Sequence, residues 1–498
     1  MPERGEPTSP EGSKVALQNL QEGFAHFLRP IVYLGHNLIS RAGVVLTTTS
    51  AITLLVAYAS QLFGNFHPNP YVGILLFLIL PGVFVMGLVL IPVGIYREFR
   101  KERRLGALPL AYPKIDFSQR ELRRTVLFVA VMTAINVPIF AVASYRGTVY
   151  MESQDFCGLT CHQVMMPEYT AYQRSPHARV ACVECHIGPG APWFVRSKLS
   201  GSYQVIAVTF NLYPRPIPTP VHNLRPARQT CEECHWPERF SGNKLFIKTK
   251  YADDGQNSAT KTVLLMHIGG RDLDQKLVGI HGAHLGLVTY IPSDEKRQQI
   301  PWVSHRNPDG TIAEYASTDN PPKPDLLAHA ERRVMDCMDC HNRPSHIFYL
   351  PEPAVDREMA AGRISPSLPF VHKVSIELLK KNYPSRADAE IQLPEELREY
   401  YRKNYFSVYN HQGAEIEQAG RALVYIYDGN VFPAMNVTWG TYPNNLGHMD
   451  FPGCFRCHDG NHKSQGGKEI TQDCNACHDL LAMDDPDPKI LHELAGGN

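Results

Sequence analysis

No cysteine of this 498-residue chain is spare. All 12 fall in six short clusters: Cys157-Gly-Leu-Thr-Cys161-His162, Cys182-Val-Glu-Cys185-His186, Cys231-Glu-Glu-Cys234-His235, Cys337-Met-Asp-Cys340-His341, Cys454-Phe-Arg-Cys457-His458 and Cys474-Asn-Ala-Cys477-His478. Disulfides would account for an even count, but not for a histidine directly after the second cysteine every time. Structural zinc would need two cysteine pairs converging on one ion and has no use for that adjacent histidine. Covalent haem c needs this arrangement. Two thiols add to the haem vinyl groups, a short loop spans the gap between them, and the next residue swings under the ring as an axial iron ligand. The first cluster has three loop residues where the others have two, and the longer loop still bridges the vinyls. The expected complement is six covalently bound haems c, each with its iron.

Net charge is also absent, with 49 Lys and Arg against 49 Asp and Glu, and the mean hydropathy is only −0.23. Alone, these values describe a soluble protein of several domains. The average conceals three apolar runs without a single charge, at residues 43 to 63, 71 to 96 and 125 to 144. Each is long enough to cross about 30 Å of hydrocarbon as a helix, and three in succession speak against buried helices of a soluble core. Pro81, Pro92 and Pro138 would kink these helices but are tolerated in membrane spans. Residues 1 to 14 are polar and rich in Pro, Gly and Glu, so disorder is expected there, with no cleavable signal peptide and the first run acting as an uncleaved insertion signal.

The turn "GNFHPNP" lacks Lys and Arg, whereas residues 97 to 124 carry Arg97, Arg100, Lys101, Arg103, Arg104, Lys114, Arg120, Arg123 and Arg124. By the positive-inside rule this basic loop and the N-terminus are cytoplasmic, and everything after Arg146 lies across the membrane. In a bacterium this means an inner-membrane protein whose haem domain is periplasmic, where apocytochrome thiols meet haem. A basic loop between two spans reads as a topology signal, so the bilayer and not nucleic acid is the expected partner.

These features divide the chain into a cytoplasmic segment (1–42), a three-span membrane anchor (43–146) with its basic loop 97–124, and a region holding the first three motifs (147–240). A motif-free insertion (241–335) follows, then the fourth-motif region (336–370), a helical connector (371–440) and a C-terminal dihaem region (441–498). The insertion reads as short strands, "NKLFIKTKY", "KTVLLMHIG" and "LGLVTYI", with the hairpin "VSHRNPDGTIAEYA" turning at Asp309-Gly310. The connector reads as helix through "PEELREYYRKNYFSVYNHQGAEIEQAGRALVYI". The expected fold class is an α-helical membrane anchor plus a haem-packed multihaem cytochrome c domain. That domain should have little regular structure, because haems replace much of the apolar core, and a small strand-rich insertion.

The stretch "CHQVMMPEYTAYQRSPHARVACVECHIGPGAPWFVRSKLSG" resembles the NapC/NirT family of membrane-anchored, quinol-oxidising cytochromes c. In that family a Met closely follows the first motif and a His stands nine residues before the second motif's His. Here Met165 and Met166 follow the first motif, and His177 stands nine before His186. In the small tetrahaem members a His five beyond the fourth motif's His ligates the second haem, and His346 stands five beyond His341. The resemblance implies that His346 ligates the second haem, that His177 ligates the fourth, and that Lys198, twelve past His186, lies at a quinol site. A Lys that merely snorkels to the interface beside Arg196 is the other reading of that position. Family members carry a carboxylate seven residues past this Lys. Here the position is Val205, and "LSGSYQVIAVTFNLYP" contains no acid, so either another base serves or the site is arranged differently. The chain also resembles the larger inner-membrane multihaem cytochromes of metal-reducing bacteria, which share the extra spans and haems.

Of 22 histidines, His26, His36 and His67 precede Arg146 and six are motif histidines, leaving thirteen candidates for distal positions. Two axial ligands per iron leave no open site, which suits electron transfer. His267, His281 and His284 in the insertion, and His448 and His462 beside the fifth motif, are each either a distal ligand or an ordinary hydrogen-bonded histidine. Met165 and Met166 either pack or offer a thioether that would raise the first haem's potential. The expected function is oxidation of membrane quinol, menaquinol in the first instance, with electrons passed to periplasmic cytochromes or reductases in anaerobic or metal respiration. Two alternatives stand beside it. One is a terminal reductase of a small nitrogen oxyanion, for which no Cys-x-x-Cys-Lys motif is present. The other is an electron-transfer subunit without its own quinol site. Oligomerisation is left open.

Overall fold

The computed structural model describes residues 29–31, 33–62, 80–109, 120–160, 162–188, 191–221, 224–236, 242–271 and 277–496. The chain forms two compact units, Met1–Thr160 and Cys161–Asn498. The expected disorder of residues 1 to 14 lies outside the described residues.

In the first unit, helices α1 (Leu38–Leu62) and α2 (Leu80–Leu105) pack antiparallel along a seam of small residues. A Cβ added at Gly43 would stand 2.7 Å from the Gly87 carbonyl, and one at Gly87 would collide with Thr47. Across the same seam Ser40 Oγ donates to the Ile91 carbonyl at 3.0 Å. Lipid tails are as apolar as leucine, so close backbone approach and interhelical hydrogen bonds hold such helices together. Their outer faces expose Val44, Val45, Ile52 and Leu55 on α1, and Val85, Met86, Val89 and Val93 on α2.

Leu38–Val56 and Leu80–Leu105 are long and apolar enough to cross a bilayer. Among the described residues these are the two helices that meet that measure. The third run lies in α3 (Arg120–Met151), a 32-residue helix unbroken at Pro138 that opens on Arg120, Glu121, Arg123 and Arg124. The second helix is also displaced from its expected bounds. Residues 71–79 lie outside the described residues, and α2 continues past Tyr96 through Arg97, Arg100, Lys101, Arg103 and Arg104. That basic cluster is the last turns of a helix and not a loop. Arginine and lysine are favoured there by the negative end of the helix dipole.

The second unit opens with α4 (His162–Gln173), α5 (Cys182–His186), α6 (Ala191–Thr209) and α7 (Ala227–Cys231). The expected strands follow: β1 (Lys244–Tyr251) and β2 (Ala259–Met266) form a hairpin. Beyond α8 (Gly279–His284) come β3 (Val288–Ile291), β4 (Trp302–Arg306), β5 (Ile312–Ser317) and β6 (Arg333–Val334). The β4–β5 turn is at Asp309-Gly310, where Gly310 takes φ 85° and Asp309 Oδ1 accepts from Thr311 N at 2.9 Å.

The insertion is not self-contained. After α9 (Cys337–Cys340), β7 (His462–Lys463) pairs with β5 and completes an antiparallel sheet of order β6-β3-β4-β5-β7, while β8 (His478–Asp485) pairs with β2, His478 opposite Met266. Between the fourth and fifth motifs lie α10 (Pro351–Ala360), α11 (Val371–Leu379), α12 (Arg386–Asn404) and α13 (Gly413–Asn430). They enclose Val355, Leu368, Leu379, Leu393, Leu397, Tyr401, Ile416 and Leu423, and each such side chain contributes about 1.5–3 kcal/mol by burial. On α13, Ile416, Ala419, Gly420, Leu423 and Tyr427 repeat at helical spacing. The expectation of little regular structure is therefore corrected: this segment is a packed helical body starting near Pro351, with an apolar core made of its own side chains.

Candidate haem-binding site

The motifs of the second unit are built on single helical turns. The amides of His235, His341 and His458 donate to the carbonyls of Cys231, Cys337 and Cys454 at 2.7, 2.8 and 3.1 Å. This i→i+4 closure puts each histidine one turn beyond the first cysteine, so imidazole and thiol project to the same side. The described cysteines are all free of disulfides.

Five motif histidines face a second histidine from elsewhere in the chain. Ring centroids are 6.3 Å apart for His186 and His346, 5.9 Å for His235 and His177, and 6.4 Å for His341 and His281. They are 5.8 Å apart for His458 and His284, and 6.4 Å for His478 and His448. A metal–imidazole bond is about 2 Å and the ring centroid lies about 1 Å beyond the nitrogen, so two imidazoles on opposite sides of one iron stand roughly 6 Å apart.

The outer ring nitrogens are tied down as such ligands require. Nδ1 of His346 donates to the Glu168 carbonyl at 2.9 Å, that of His177 to Pro344 at 3.2 Å, that of His284 to Ile280 at 2.7 Å and that of His458 to Thr471 at 2.7 Å. A carbonyl acceptor fixes the proton on Nδ1 and leaves the Nε2 lone pair free for a metal. Burial depresses the pKa of His281, His284 and His346, which keeps them in the neutral, ligating form. The donor set therefore fits six-coordinate haem.

Other expectations are redistributed. His346 faces the second motif, as the resemblance implies, but His177 faces His235 of the third motif and not His341 of the fourth. His462 is 2% exposed, with Nδ1 on Asp459 Oδ1 at 2.8 Å and Nε2 on the Ile300 carbonyl at 2.6 Å, so both ring nitrogens are already engaged by oxygen atoms of the chain. His267 Nε2 sits 3.0 Å from Asp479 Oδ2 and is not in any of the five pairs. Met166 packs against the Val164–Phe432 cluster and its Sδ receives Arg386 Nη1 at 2.9 Å, which leaves Met165 as the uncommitted thioether of the two. Cys161 and the side chains of His162 and Lys198 lie outside the described residues. On α6, which carries Lys198, Leu199, Tyr203, Val205 and Ile206 are exposed, as is Phe210 just beyond its end.

Sequence reasoning missed the supports. Arg343, 7% exposed, donates from Nη2 to both Glu168 oxygens at 3.1 Å, and Glu168 Oε2 lies 3.3 Å from His346 Nδ1. It also missed that α8 serves two motifs, His281 facing the fourth and His284 the fifth, a sharing that the His-x-x-His spacing could have suggested. Successive motifs touch one another. The Cys231 sulfur of the third motif lies beside that of Cys337 of the fourth, and His448, opposite the sixth motif's histidine, stacks at 4.3 Å on Phe455 of the fifth.

The NapC/NirT cytochrome c family, N-terminal region, matches residues 119–215. The chain is 43% identical over 465 residues to the cytochrome c-type protein ImcH of Geobacter sulfurreducens, covering 92% of this chain and 91% of that one. Over 105 residues, 20% of this chain and 59% of the relative, it is 28% identical to the cytochrome c-type protein NrfH of Wolinella succinogenes. No solved structure matches.

Proposed function

Because this chain belongs to the NapC/NirT family of membrane-anchored, haem-bearing electron-transport cytochromes c, we propose that it oxidises membrane quinol and passes the electrons through six haems to a periplasmic acceptor. The single observation that carries this reading is the set of five facing imidazole pairs. Two histidines per iron leave no position for an oxyanion to bind, so transfer is favoured over terminal reduction. The haem supplies a reversible one-electron iron couple. The twelve cysteines would anchor the haems, and the motif histidines together with His346, His177, His281, His284 and His448 would ligate their irons. Met165 is the distal ligand proposed for the first haem.

Quinol gives up two electrons and two protons, and the reading assigns its docking to α6. Lys198 donates to a quinol oxygen there, and Leu199, Tyr203, Ile206 and Phe210 meet the bilayer surface. The proton acceptor is not an acid of residues 199 to 214, which contain none. The basic end of α2 lies in the cytoplasm, α3 is the third span, and the haem unit is periplasmic.

Reduction of the full-length protein in detergent by menaquinol tests the proposal. Full appearance of the ferrous haem bands, six haems by intact mass and low-spin signals for the five paired haems are expected. A protein that menaquinol leaves oxidised, or one of these haems in a five-coordinate high-spin state, would overturn it.

A further inference from the structure

Arg456 stands inside the fifth motif, between Phe455 and Cys457, and is 8% exposed. Its guanidinium donates to three backbone carbonyls: Nε to Gly453 at 2.8 Å, Nη1 to Arg297 at 2.8 Å and Nη2 to Asp339 at 2.6 Å. Asp339 is the loop residue of the fourth motif and is 2% exposed. Its carboxylate accepts from Tyr290 Oη at 2.6 Å, Arg333 Nε at 2.8 Å and Asp336 N at 2.7 Å. A residue of one Cys-x-x-Cys loop is thus hydrogen-bonded to a residue of the next. On the other side, α8 holds His281 and His284 toward the same two motifs.

Burying a guanidinium costs several kcal/mol unless its donors are satisfied, and here the acceptors are neutral carbonyls. The guanidinium thus lies between its own motif and the backbone of the fourth, with no carboxylate among its hydrogen-bond partners. Adding an electron to ferric iron lowers the positive charge there, so a fixed cation nearby favours the reduced state.

We propose that Arg456 is a positioning residue that bolts the fifth haem to the fourth and, through its buried charge, raises the reduction potentials of both. The inference rests on the haem assignment above. One electron passes from the ferrous iron of one haem to the ferric iron of its neighbour and no atom is transferred, so spacing and potential are the levers the protein holds.

The full-length holoprotein and its R456Q, R456K and D339N variants are compared by intact mass, EPR and potentiometric titration. Loss of haem or of low-spin signals in the unaltered protein would count against the haem assignment itself, separately from this inference. With the haem count intact, R456Q moves two titration steps to lower potential. R456K, which keeps the charge but not the fork, leaves those steps in place while altering the magnetic coupling between the two haems. D339N, which removes a negative charge from the same cluster, moves a step up. An R456Q titration superimposable on that of the unaltered protein, or equal shifts in R456Q and R456K, would overturn the proposal. Should R456Q fail to mature, the sign of the D339N shift decides: no shift or a downward one refutes the charge argument.

Discussion

His372 is a pH-dependent latch between the β1–β2 hairpin and the helical body, and its removal should free the hairpin tip. The ring is buried, with Nδ1 2.7 Å from Asp253 Oδ1 and Nε2 3.3 Å from Asp356 Oδ1. Asp356 Oδ1 also accepts from Tyr251 N at 2.9 Å, and Asn257 at the tip, 1% exposed, donates to the Pro366 and Leu368 carbonyls at 2.9 and 2.8 Å. Burial alone would lower the imidazole, but Asp356 and Asp253 outweigh it and hold it above its ordinary value. A group raised on folding contributes stability that is fully present below its unfolded value, near 6.5, and is lost as pH rises through the folded one. The Asp356 contact is an ion pair at 3.3 Å and not an aligned hydrogen bond, so it contributes on the order of 1 kcal/mol. The Asp253 bond adds about 1 kcal/mol or less, because that carboxylate is 62% exposed and screened. His372→Gln should therefore weaken the latch by about 1–2 kcal/mol at pH 6. A chain of several bodies with bound haem does not unfold in two states, so the readout is hydrogen exchange at residues 251–258, corrected for the intrinsic pH dependence. Protection should fall as pH is raised above 6.5 in the unaltered protein and be low throughout in the variant. Flat protection across that range, or equal protection in both proteins, would refute the latch.

His284→Gln should convert one low-spin haem to high-spin, because its iron loses the imidazole across from His458, whereas His462→Gln should leave every haem low-spin and only loosen the β7 edge. EPR of the two variants side by side checks both, and a high-spin signal in His462→Gln would reverse the assignment. Lys198→Met should slow reduction by menaquinol at least tenfold, on the order of one lost hydrogen bond to a charged donor, while dithionite reduction and the haem spectra stay as they were. Stopped-flow reduction with each donor separates the two, and equal quinol rates would move the site elsewhere.

The proximal half of each haem site was legible because its chemistry is local. Two thioether bonds and an axial ligand must come from five or six consecutive residues, so the motif is written in one place. The spans were legible for a similar reason, since hydrocarbon penalises any charge along about 20 consecutive residues. Residues such as Gly43 and Gly87, which let α1 and α2 touch, acquire their meaning only when the two helices are set side by side. The helical core around Leu393, Tyr401 and Leu423 was underestimated because amphipathic spacing in "GAEIEQAGRALVYIYDGN" indicates a helix but not how many neighbours close over it. The proposed distal ligands lay furthest from view. His346 reaches His186 across 160 residues, and His281 and His284 leave one short helix for two different motifs. His462, beside the fifth motif in the chain, spends both ring nitrogens on Asp459 and Ile300. An isolated histidine carries the same lone pair wherever it stands. Only the tertiary structure decides whether that lone pair meets a carbonyl, a carboxylate or the open side of an iron, because the partner arrives from a distant part of the chain.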